Sequence, residues 1–217
     1  MSDTINIQVL NNNTLLKIEL HNERKSNALS LKMLDQLINV LNNKIIIKKL
    51  KCIVISGANK GPFCSGADLI DIKNLNKENS ITTYHEKINN LLDIIGNLKL
   101  PVISVIRLYC FGAGFIIATH SDFLLASNDA IFCIPASKLK IKIPNEQIKS
   151  LKKRINNNIL YEMLSTSRKF NAEEMYNANV IHAYFKRECF EEKVNEFIKS
   201  ILSVDKNINE YYKKAML

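Results

Sequence analysis

Two short loops carry residue types that could bind a polarised carbonyl group. The loops Cys64–Asp68 and Phe111–Gly114 each follow an apolar segment and consist largely of small residues. Glycine lets a ligand approach the backbone closely, and the second loop leads into a predicted helix, whose free N–H groups and positive dipole end attract negative charge. Paired backbone N–H donors can form an oxyanion hole. The loops are therefore candidates for a functional site, although most glycine-rich turns before a helix have no such role.

The segments around the two loops predict an α/β fold. Apolar and polar residues alternate over 5–9 and 16–20, on either side of Asn11–Asn13, which indicates a β-hairpin. Ser30 is expected to cap a helix over 31–41, because apolar residues follow it at helical spacing. Further helices are predicted over 81–98, after Gly112 and from Glu146 onward, and strands over 52–56, 102–106, 123–126, 131–134 and 180–184. Alternating strands and helices are typical of an α/β domain.

The composition predicts a soluble domain with one core, with or without a small appendage. The chain has 217 residues, of which 47% are hydrophobic, and no apolar run is long enough to cross a bilayer. The N-terminus lacks the basic start and apolar stretch of a signal peptide, so we expect a cytoplasmic protein. The five cysteines have no metal-ligand spacing, which favours buried free thiols over a zinc site. We expect no metal ion and no membrane partner.

The net charge of +9 is compatible with nucleic acid or with phosphate-bearing ligands. Lys, Asn and Ile are frequent throughout the chain, however, and the densest basic run, Lys149–Arg154, falls on a predicted helix. We interpret this run as a solvated helix face. A nucleic-acid partner stays open as a minor alternative, and steeply salt-dependent binding would be its mark.

Several stretches, in the same order, resemble the crotonase superfamily, that is, the enoyl-CoA hydratase/isomerase family. Ser26–Ser30 resembles the N-A-L-S element after the family's first hairpin, and Val54–Leu69 resembles its strand and F-x-x-G-A-D loop. The family's next strand, second loop, helix end and later segments are resembled by 101–106, 112–114, 121–122, 130–135 and 166–172. Order, spacing and residue type agree over nearly the whole chain, so it is identified as a member of this family.

The resemblance implies a crotonase-like spiral of repeated ββα units in residues 1–185, followed by a short C-terminal helical segment in 186–217. It also implies an acyl-CoA ligand and lyase or isomerase chemistry of the kind used in fatty acid metabolism. Coenzyme A would then be part of the substrate, with no separate cofactor. Family members have further helices, beyond the position of Leu217, that cover the acyl-CoA and contribute to trimer contacts. A homo-oligomer is expected, but a trimer is left open.

The resemblance assigns the oxyanion hole to the backbone N–H groups of Ala67 and Ala113, which would hold the thioester carbonyl and stabilise an enolate. Ala113 stands where the family usually has glycine, so the approach would be narrower by one methyl group. Arg24 falls where relatives often carry a basic residue against the CoA phosphates; an exposed loop cation is the alternative. The other expected CoA-binding residues are Ala28, Ser65, Gly66, Asp68 and Leu69, and Asp68 is also expected to cap a helix.

Two departures from the family pattern concern catalysis. Hydratases have one glutamate shortly after the second glycine loop and another in a Pro-Glu element, and these positions are Ile116 and Ala136 here. General acid–base catalysis contributes about 10²–10⁴-fold, and neither side chain can supply it. Isomerases of the family usually keep the second glutamate. We therefore predict that hydration is undetectable or very slow, and Ala136 also counts against isomerisation.

Other residues could substitute for the two glutamates. Glu146 lies near a place where some relatives have a catalytic acid, although an exposed first-turn glutamate, favourable to the helix dipole, would look the same in sequence. His120 is expected to be a packed or surface histidine rather than a base. Tyr84, His85 and Lys77 fall in a segment where relatives vary widely, and the sequence assigns them no role.

Three functions stay open on the sequence alone. The first is an acyl-CoA enzyme that uses another acid–base set, or that needs none, as in thioester enolate chemistry such as decarboxylation. The second is a non-catalytic protein that binds an acyl-CoA or a protein partner. The third is nucleic-acid binding, because a basic relative in the family binds AU-rich RNA. Turnover over a panel of acyl-CoA substrates would separate the first function from the second.

Overall fold

Strands and helices alternate along the chain in the computed structural model, which describes residues 3–74 and 80–216; Lys77 lies outside the described residues. The strands are β1 (Thr4–Leu10), β2 (Leu15–His21), β3 (Cys52–Gly57), β4 (Val102–Ile106), β5 (Tyr109–Phe111), β6 (Phe123–Ser127), β7 (Ile131–Cys133), β8 (Phe170–Asn171) and β9 (Ala183–Phe185). The helices are α1 (Leu31–Leu41), α2 (Lys44–Lys49), α3 (Leu69–Asn74), α4 (Ser80–Asn97), α5 (Gly112–Ala118), α6 (Asn145–Leu151), α7 (Asn157–Thr166), α8 (Ala172–Asn177), α9 (Phe190–Ser203) and α10 (Lys206–Met216).

The strands form two sheets, and some strands that are consecutive in the chain belong to different sheets. The larger sheet has six strands in the order β1-β2-β3-β4-β6-β9, and the smaller has three in the order β5-β7-β8. In the pairs β4–β5 and β6–β7, the first strand joins the large sheet, the second joins the small sheet, and a helix follows. This repeated ββα order confirms the predicted α/β spiral.

Local sequence signals explain the first elements. Strands β1 and β2 pair antiparallel around Asn11, Asn12 and Asn13, which all have positive φ angles (51°, 54° and 66°). Asparagine tolerates this left-handed conformation better than most residues. Ser30 caps α1, because its side chain accepts a hydrogen bond from the Met33 N–H. The predicted hairpin and the predicted helix cap are both confirmed.

One predicted strand is displaced. The sequence predicts a strand over 180–184, but strand β9 covers Ala183–Phe185. Val180 and Ile181 are buried, yet their N–H groups both donate to the Met175 carbonyl oxygen (2.9 and 3.3 Å) at the end of α8. These two residues are therefore apolar because they pack in the core after a helix, and not because they pair in a sheet. A short apolar run looks the same in the sequence in both cases.

The large sheet is covered on both faces. Ile53 and Ile55 of β3 belong to the main core, which also contains side chains of α1, α4 and α5, while Cys52 and Val54 face a second apolar cluster. Helix α9 contributes Phe190, Val194 and Ile198 to that second cluster. Buried strand residues on both faces are typical of parallel sheets. The division at residue 185 stays a prediction, since α9 packs directly on the sheet. Within 3–74 and 80–216, no helix could cross a bilayer.

Candidate functional site

The two glycine-containing loops lie side by side because backbone hydrogen bonds join them. The Cys64 N–H donates to the Tyr109 carbonyl oxygen (3.0 Å), and the Phe111 N–H donates to the Cys64 carbonyl oxygen (2.8 Å). These bonds form a short parallel bridge between Cys64 and Cys110. The first loop thus extends the edge of the small sheet, and the second loop starts α5 next to it.

Three glycines make this close approach possible. Gly66 and Gly112 have positive φ angles of 110° and 49°, a backbone conformation that residues with a Cβ atom rarely adopt. A Cβ atom on Gly114 would lie only 2.4 Å from the Cys64 Cβ atom. The first turn of α5 therefore packs against the first loop only because Gly114 has no side chain.

The N–H group of Ala67 points away from the protein's own hydrogen-bond acceptors. In the bridge between Leu29 and Ala67, the Leu29 N–H donates to the Gly66 carbonyl oxygen (2.8 Å), and the Leu29 carbonyl oxygen accepts from the Asp68 N–H (2.9 Å). Successive N–H groups of an extended chain point to opposite sides. The Ala67 N–H therefore points away from Leu29, and it has no hydrogen-bond partner among residues 3–74 and 80–216.

Ala113 presents the second free donor. It is the second residue of α5, and N–H groups in the first turn of a helix have no acceptor within the helix. No side chain caps this end of α5. Ala67 and Ala113 both line one cavity of about 130 Å³. The structure thus brings the two residues of the predicted oxyanion hole to the same cavity, with Ala113 in the first turn of a helix.

The cavity is mostly apolar. Its lining residues in the described part of the chain are Ser65, Gly66, Ala67, Leu69, Ile72, Ile81, Tyr84, His85, Ile88, Gly112, Ala113, Ile116, Ile134, Pro135, Ala136, Leu139, Ile141, Ile143 and Gln147. Ile116 and Ala136 are 3% and 7% exposed, so both positions that the resemblance aligns with hydratase glutamates lie on the same cavity. Apart from His85 and Tyr84, the described lining residues have no titratable side chain.

The predicted CoA-binding residues divide into two groups. Ser65, Gly66 and Leu69 line the cavity, whereas Ala28 and Asp68 are buried and do not line it. Asp68 caps α3, because its Oδ1 atom accepts from the Asp71 N–H (3.2 Å). Its Oδ2 atom accepts from the Lys25 ammonium group at 2.6 Å. Asp68 is therefore a structural residue that holds the first loop, as the sequence predicts for its cap.

Arg24 is exposed and lies in a short 3₁₀ turn over Glu23–Lys25, outside the cavity lining. The Ser65 hydroxyl donates to the Lys25 carbonyl oxygen at 2.7 Å, and Ser65 does line the cavity. The turn that carries Arg24 is thus attached to the cavity rim. A contact between Arg24 and a CoA phosphate stays a prediction.

Glu146 is not brought to the cavity. It occupies the exposed first turn of α6, while the next residue, Gln147, is 1% exposed and lines the cavity. Its place fits a solvated glutamate at a helix N-terminus, and a role as substitute acid stays a prediction that this position does not support. His120 also lies off the cavity, with Nδ1 2.9 Å from the Ile116 carbonyl oxygen and Nε2 against the Ser150 hydroxyl.

A polar cluster on the cavity was missed in the sequence. The Gln147 Nε2 atom donates to Asn89 Oδ1 (2.8 Å) and lies 3.4 Å from His85 Nδ1. Burial lowers the pKa of His85, and the Gln147 contact opposes this shift. In the sequence, His85 only follows a buried apolar position of α4, which is weak evidence that it lies on a cavity. Gln147 comes from α6, and no sequence pattern indicates that the two residues meet.

The other reactive groups near the cavity are inactive as bases or nucleophiles. The Tyr84 hydroxyl donates to the Leu29 carbonyl oxygen (3.2 Å), and burial raises its pKa well above 10. Burial also raises the pKa of the Cys64 thiol to about 12. Because the thiolate is the reactive form of cysteine, Cys64 is a packing residue. All five cysteines are free, and four of them are buried.

Comparisons with known proteins agree with this geometry. The sequence model of the enoyl-CoA hydratase/isomerase family matches residues 11–217. The mitochondrial enoyl-CoA hydratase domain-containing protein 3 of Rattus norvegicus is 26% identical over 192 residues, which cover 88% of this chain and 63% of that protein. The carnitinyl-CoA dehydratase of Proteus mirabilis is 31% identical over 150 residues, which cover 69% of this chain and 57% of the relative.

Solved structures give the same result for the fold. The enoyl-CoA hydratase of Bacillus anthracis superposes with a TM-score of 0.88 and 25% identity, and the match covers 98% of this chain and 81% of that one. The chain therefore has the fold of these enzymes over almost its whole length. It spans less than two thirds of the length of the two sequence relatives described above.

Proposed function

The chain belongs to the enoyl-CoA hydratase/isomerase family, and we propose that it binds the thioester carbonyl of an acyl-CoA between the backbone N–H groups of Ala67 and Ala113. The observation that carries the proposal is the pair of free N–H donors on one apolar cavity. In such a cavity a donor pair favours a carbonyl oxygen, and it favours the enolate oxygen more because charge develops there.

The reaction is proposed to be enolate chemistry and not hydration. Addition of water across a double bond needs one group to activate the water and another to protonate carbon. Ile116 and Ala136 supply neither at the positions where the resemblance implies glutamates. Polarisation of a thioester needs only the backbone donors. A cytoplasmic location and homo-oligomeric assembly remain predictions.

A non-catalytic acyl-CoA-binding protein is the second candidate. It is favoured by the absence of any carboxylate among the described residues that line the cavity. In that case the donors would hold the thioester, but no proton would be transferred. Binding with no proton exchange at the α-carbon would distinguish this candidate from an enzyme.

The proposal can be tested by removing one donor. Ala113→Pro deletes the N–H group at a helix start, where proline is tolerated because that N–H has no helical acceptor. Ala113→Gly is the matched control, since it keeps the N–H. Acetoacetyl-CoA binding is measured by titration calorimetry, and the ¹³C shift of a labelled thioester carbonyl in acetyl-CoA reports polarisation.

We expect Ala113→Pro to weaken acetoacetyl-CoA binding by roughly 0.5–1.5 kcal/mol, one neutral hydrogen bond, and to remove part of the carbonyl shift. Ala113→Gly should keep the shift. No binding of acetoacetyl-CoA by the unmodified protein would refute the proposed function. An unchanged carbonyl shift in Ala113→Pro would remove Ala113 from the site.

A further inference from the structure

The cavity holds one titratable side chain that is free to move a proton. Of the described lining residues, His85 and Tyr84 have titratable groups. The Tyr84 hydroxyl is bonded to a carbonyl oxygen, and its pKa is raised. The His85 imidazole is half-buried, and its single described hydrogen-bond contact, with Gln147, uses Nδ1.

The contact with Gln147 bears on which nitrogen of the His85 imidazole can act as a base. As placed, Gln147 Nε2 faces both Asn89 Oδ1 and His85 Nδ1. Rotating the Gln147 and Asn89 amides together by 180° keeps the hydrogen bond between them and turns Gln147 Oε1 towards His85 Nδ1, and heavy-atom positions alone do not distinguish the two arrangements. When Gln147 Oε1 accepts from the His85 Nδ1–H group, the His85 Nε2 atom carries a free lone pair. The amide is 1% exposed and also contacts Asn89, so it is held in place. Gln147 therefore restrains the ring whose other nitrogen is available as a base.

We infer that His85 is the base that removes a proton from the α-carbon of a bound acyl-CoA, and that Gln147 is its positioning residue. The inference rests on the proposed function, because the thioester must first bind to Ala67 and Ala113. The substrate class that fits is a short acyl-CoA with at least one α-hydrogen, since the cavity holds only about 130 Å³.

The proposed step is balanced without any added reagent. His85 Nε2 forms a bond to the α-proton, and the C–H electron pair becomes the double bond of the enolate. The carbonyl π electrons move to the oxygen, where the N–H groups of Ala67 and Ala113 stabilise the charge. The imidazolium then returns a proton to the same carbon. In D₂O the imidazolium exchanges with solvent, and deuterium enters the α-position.

The surroundings of His85 suit a base at neutral pH. The described side chains that face it are the Gln147 amide from α6 and the Tyr84 ring from its own helix, and no charged described residue lines the cavity beside it. Burial lowers its pKa from 6.5. The imidazole is therefore neutral at pH 7, which is the form that accepts a proton.

The test measures deuterium incorporation into butyryl-CoA by NMR, together with the Kd of butyryl-CoA. His85→Gln should lower the exchange rate at least a hundredfold, as expected for loss of general base catalysis, with the Kd unchanged within about twofold. Imidazole added to His85→Ala should restore part of the exchange. His120→Gln is the matched control, because His120 lies off the cavity, and it should exchange at the unmodified rate.

Gln147 is tested by its effect on the histidine. Gln147→Glu keeps an acceptor and adds a negative charge, which favours the imidazolium. The pH midpoint of exchange should therefore rise. Gln147→Met removes the contact and should lower the rate with the Kd little changed. A merely structural role would leave the pH midpoint of Gln147→Glu where it is, and that result would overturn the role of Gln147.

The outcomes separate the two proposals. Butyryl-CoA binding without exchange, or exchange that persists in His85→Gln, overturns the role of His85 and leaves the proposed binding function intact. If the unmodified protein binds neither butyryl-CoA nor acetoacetyl-CoA, the proposed function fails and the inference fails with it. Loss of exchange in His120→Gln with unchanged binding would place the base elsewhere.

Discussion

The cavity has two walls of different chemical character. The backbone wall consists of residues 65–67 and 112–113 and offers main-chain N–H groups among small residues. The side-chain wall contains Ile116 and Ala136 together with the polar pair His85 and Gln147. Every residue except proline has an N–H group, so the backbone wall tolerates substitutions such as alanine at 113. Acid–base chemistry needs particular side chains, so the side-chain wall decides which reactions are possible.

The largest expected effect is on hydration. If the side-chain wall decides the reaction, crotonyl-CoA hydration by the unmodified protein should be undetectable or very slow. A missing acid–base group costs about 10²–10⁴-fold. Ile116→Glu combined with Ala136→Glu should raise the hydration rate, which is measured from the loss of enoyl absorbance.

The control for this experiment is Ile116→Gln with Ala136→Gln, which adds similar volume but no acid or base. Hydration that rises equally in both double variants would mean that the glutamates do not act as acid and base. Hydration by the unmodified protein at a rate of about 10 s⁻¹, ordinary for an enzyme, would contradict the conclusion that the side-chain wall prevents hydration.

The backbone wall depends on close packing of the two loops. Gly114→Ala places a Cβ atom 2.4 Å from the Cys64 Cβ atom, so we expect a loss of about 1–3 kcal/mol in the free energy of unfolding. Gly96→Ala is the matched helical control, because its Cβ atom would have no neighbour within 4 Å. It should stabilise the protein by about 0.4–1 kcal/mol. Denaturant unfolding measures both changes.

An equal response of the two glycine variants would contradict this packing argument. Acetoacetyl-CoA binding gives an independent check. Gly114→Ala should weaken it, because the Ala113 N–H moves with the first turn of α5. Gly96→Ala should leave it unchanged.

The rim outside both walls is tested at Arg24. If Arg24 contacts a CoA phosphate, Arg24→Ala should weaken CoA binding by roughly 1.5 kcal/mol, the lower end for a charge-assisted hydrogen bond. Arg187→Ala is the control, because Arg187 is also exposed and does not line the cavity. Calorimetry with CoA, at two salt concentrations, measures the difference. Equal binding by the two variants would remove Arg24 from the site.

The smallest expected effect is on pH-dependent stability. Burial lowers the pKa values of His85 and His120 below their ordinary value of 6.5. The unfolded chain then binds more protons than the folded chain just below pH 6.5, so stability is lost as the pH falls through that window. Urea unfolding between pH 5 and 7 should show this slope. His120→Gln should reduce it, and an unchanged slope would contradict burial as its cause.

Some parts of the site could be predicted because they depend on local sequence. Gly66 and Gly112 mark backbone turns, and the segment before Ala113 predicts the start of a helix. Glu146 and Gln147 show the limit of such reasoning. They are adjacent in α6, and only the direction in which that short helix packs decides that Gln147 faces the cavity and Glu146 faces solvent.

The sequence by itself determined the α/β class, the first hairpin and the two candidate loops, because each depends on residue periodicity or on the backbone freedom of Gly and Asn. The tertiary structure alone decided which groups meet. The loops are joined through a parallel bridge between Cys64 and Cys110 of β5. His85 and Gln147 meet across 62 residues of chain. Such contacts follow from how helices pack on sheets, and no periodicity in one sequence records that packing.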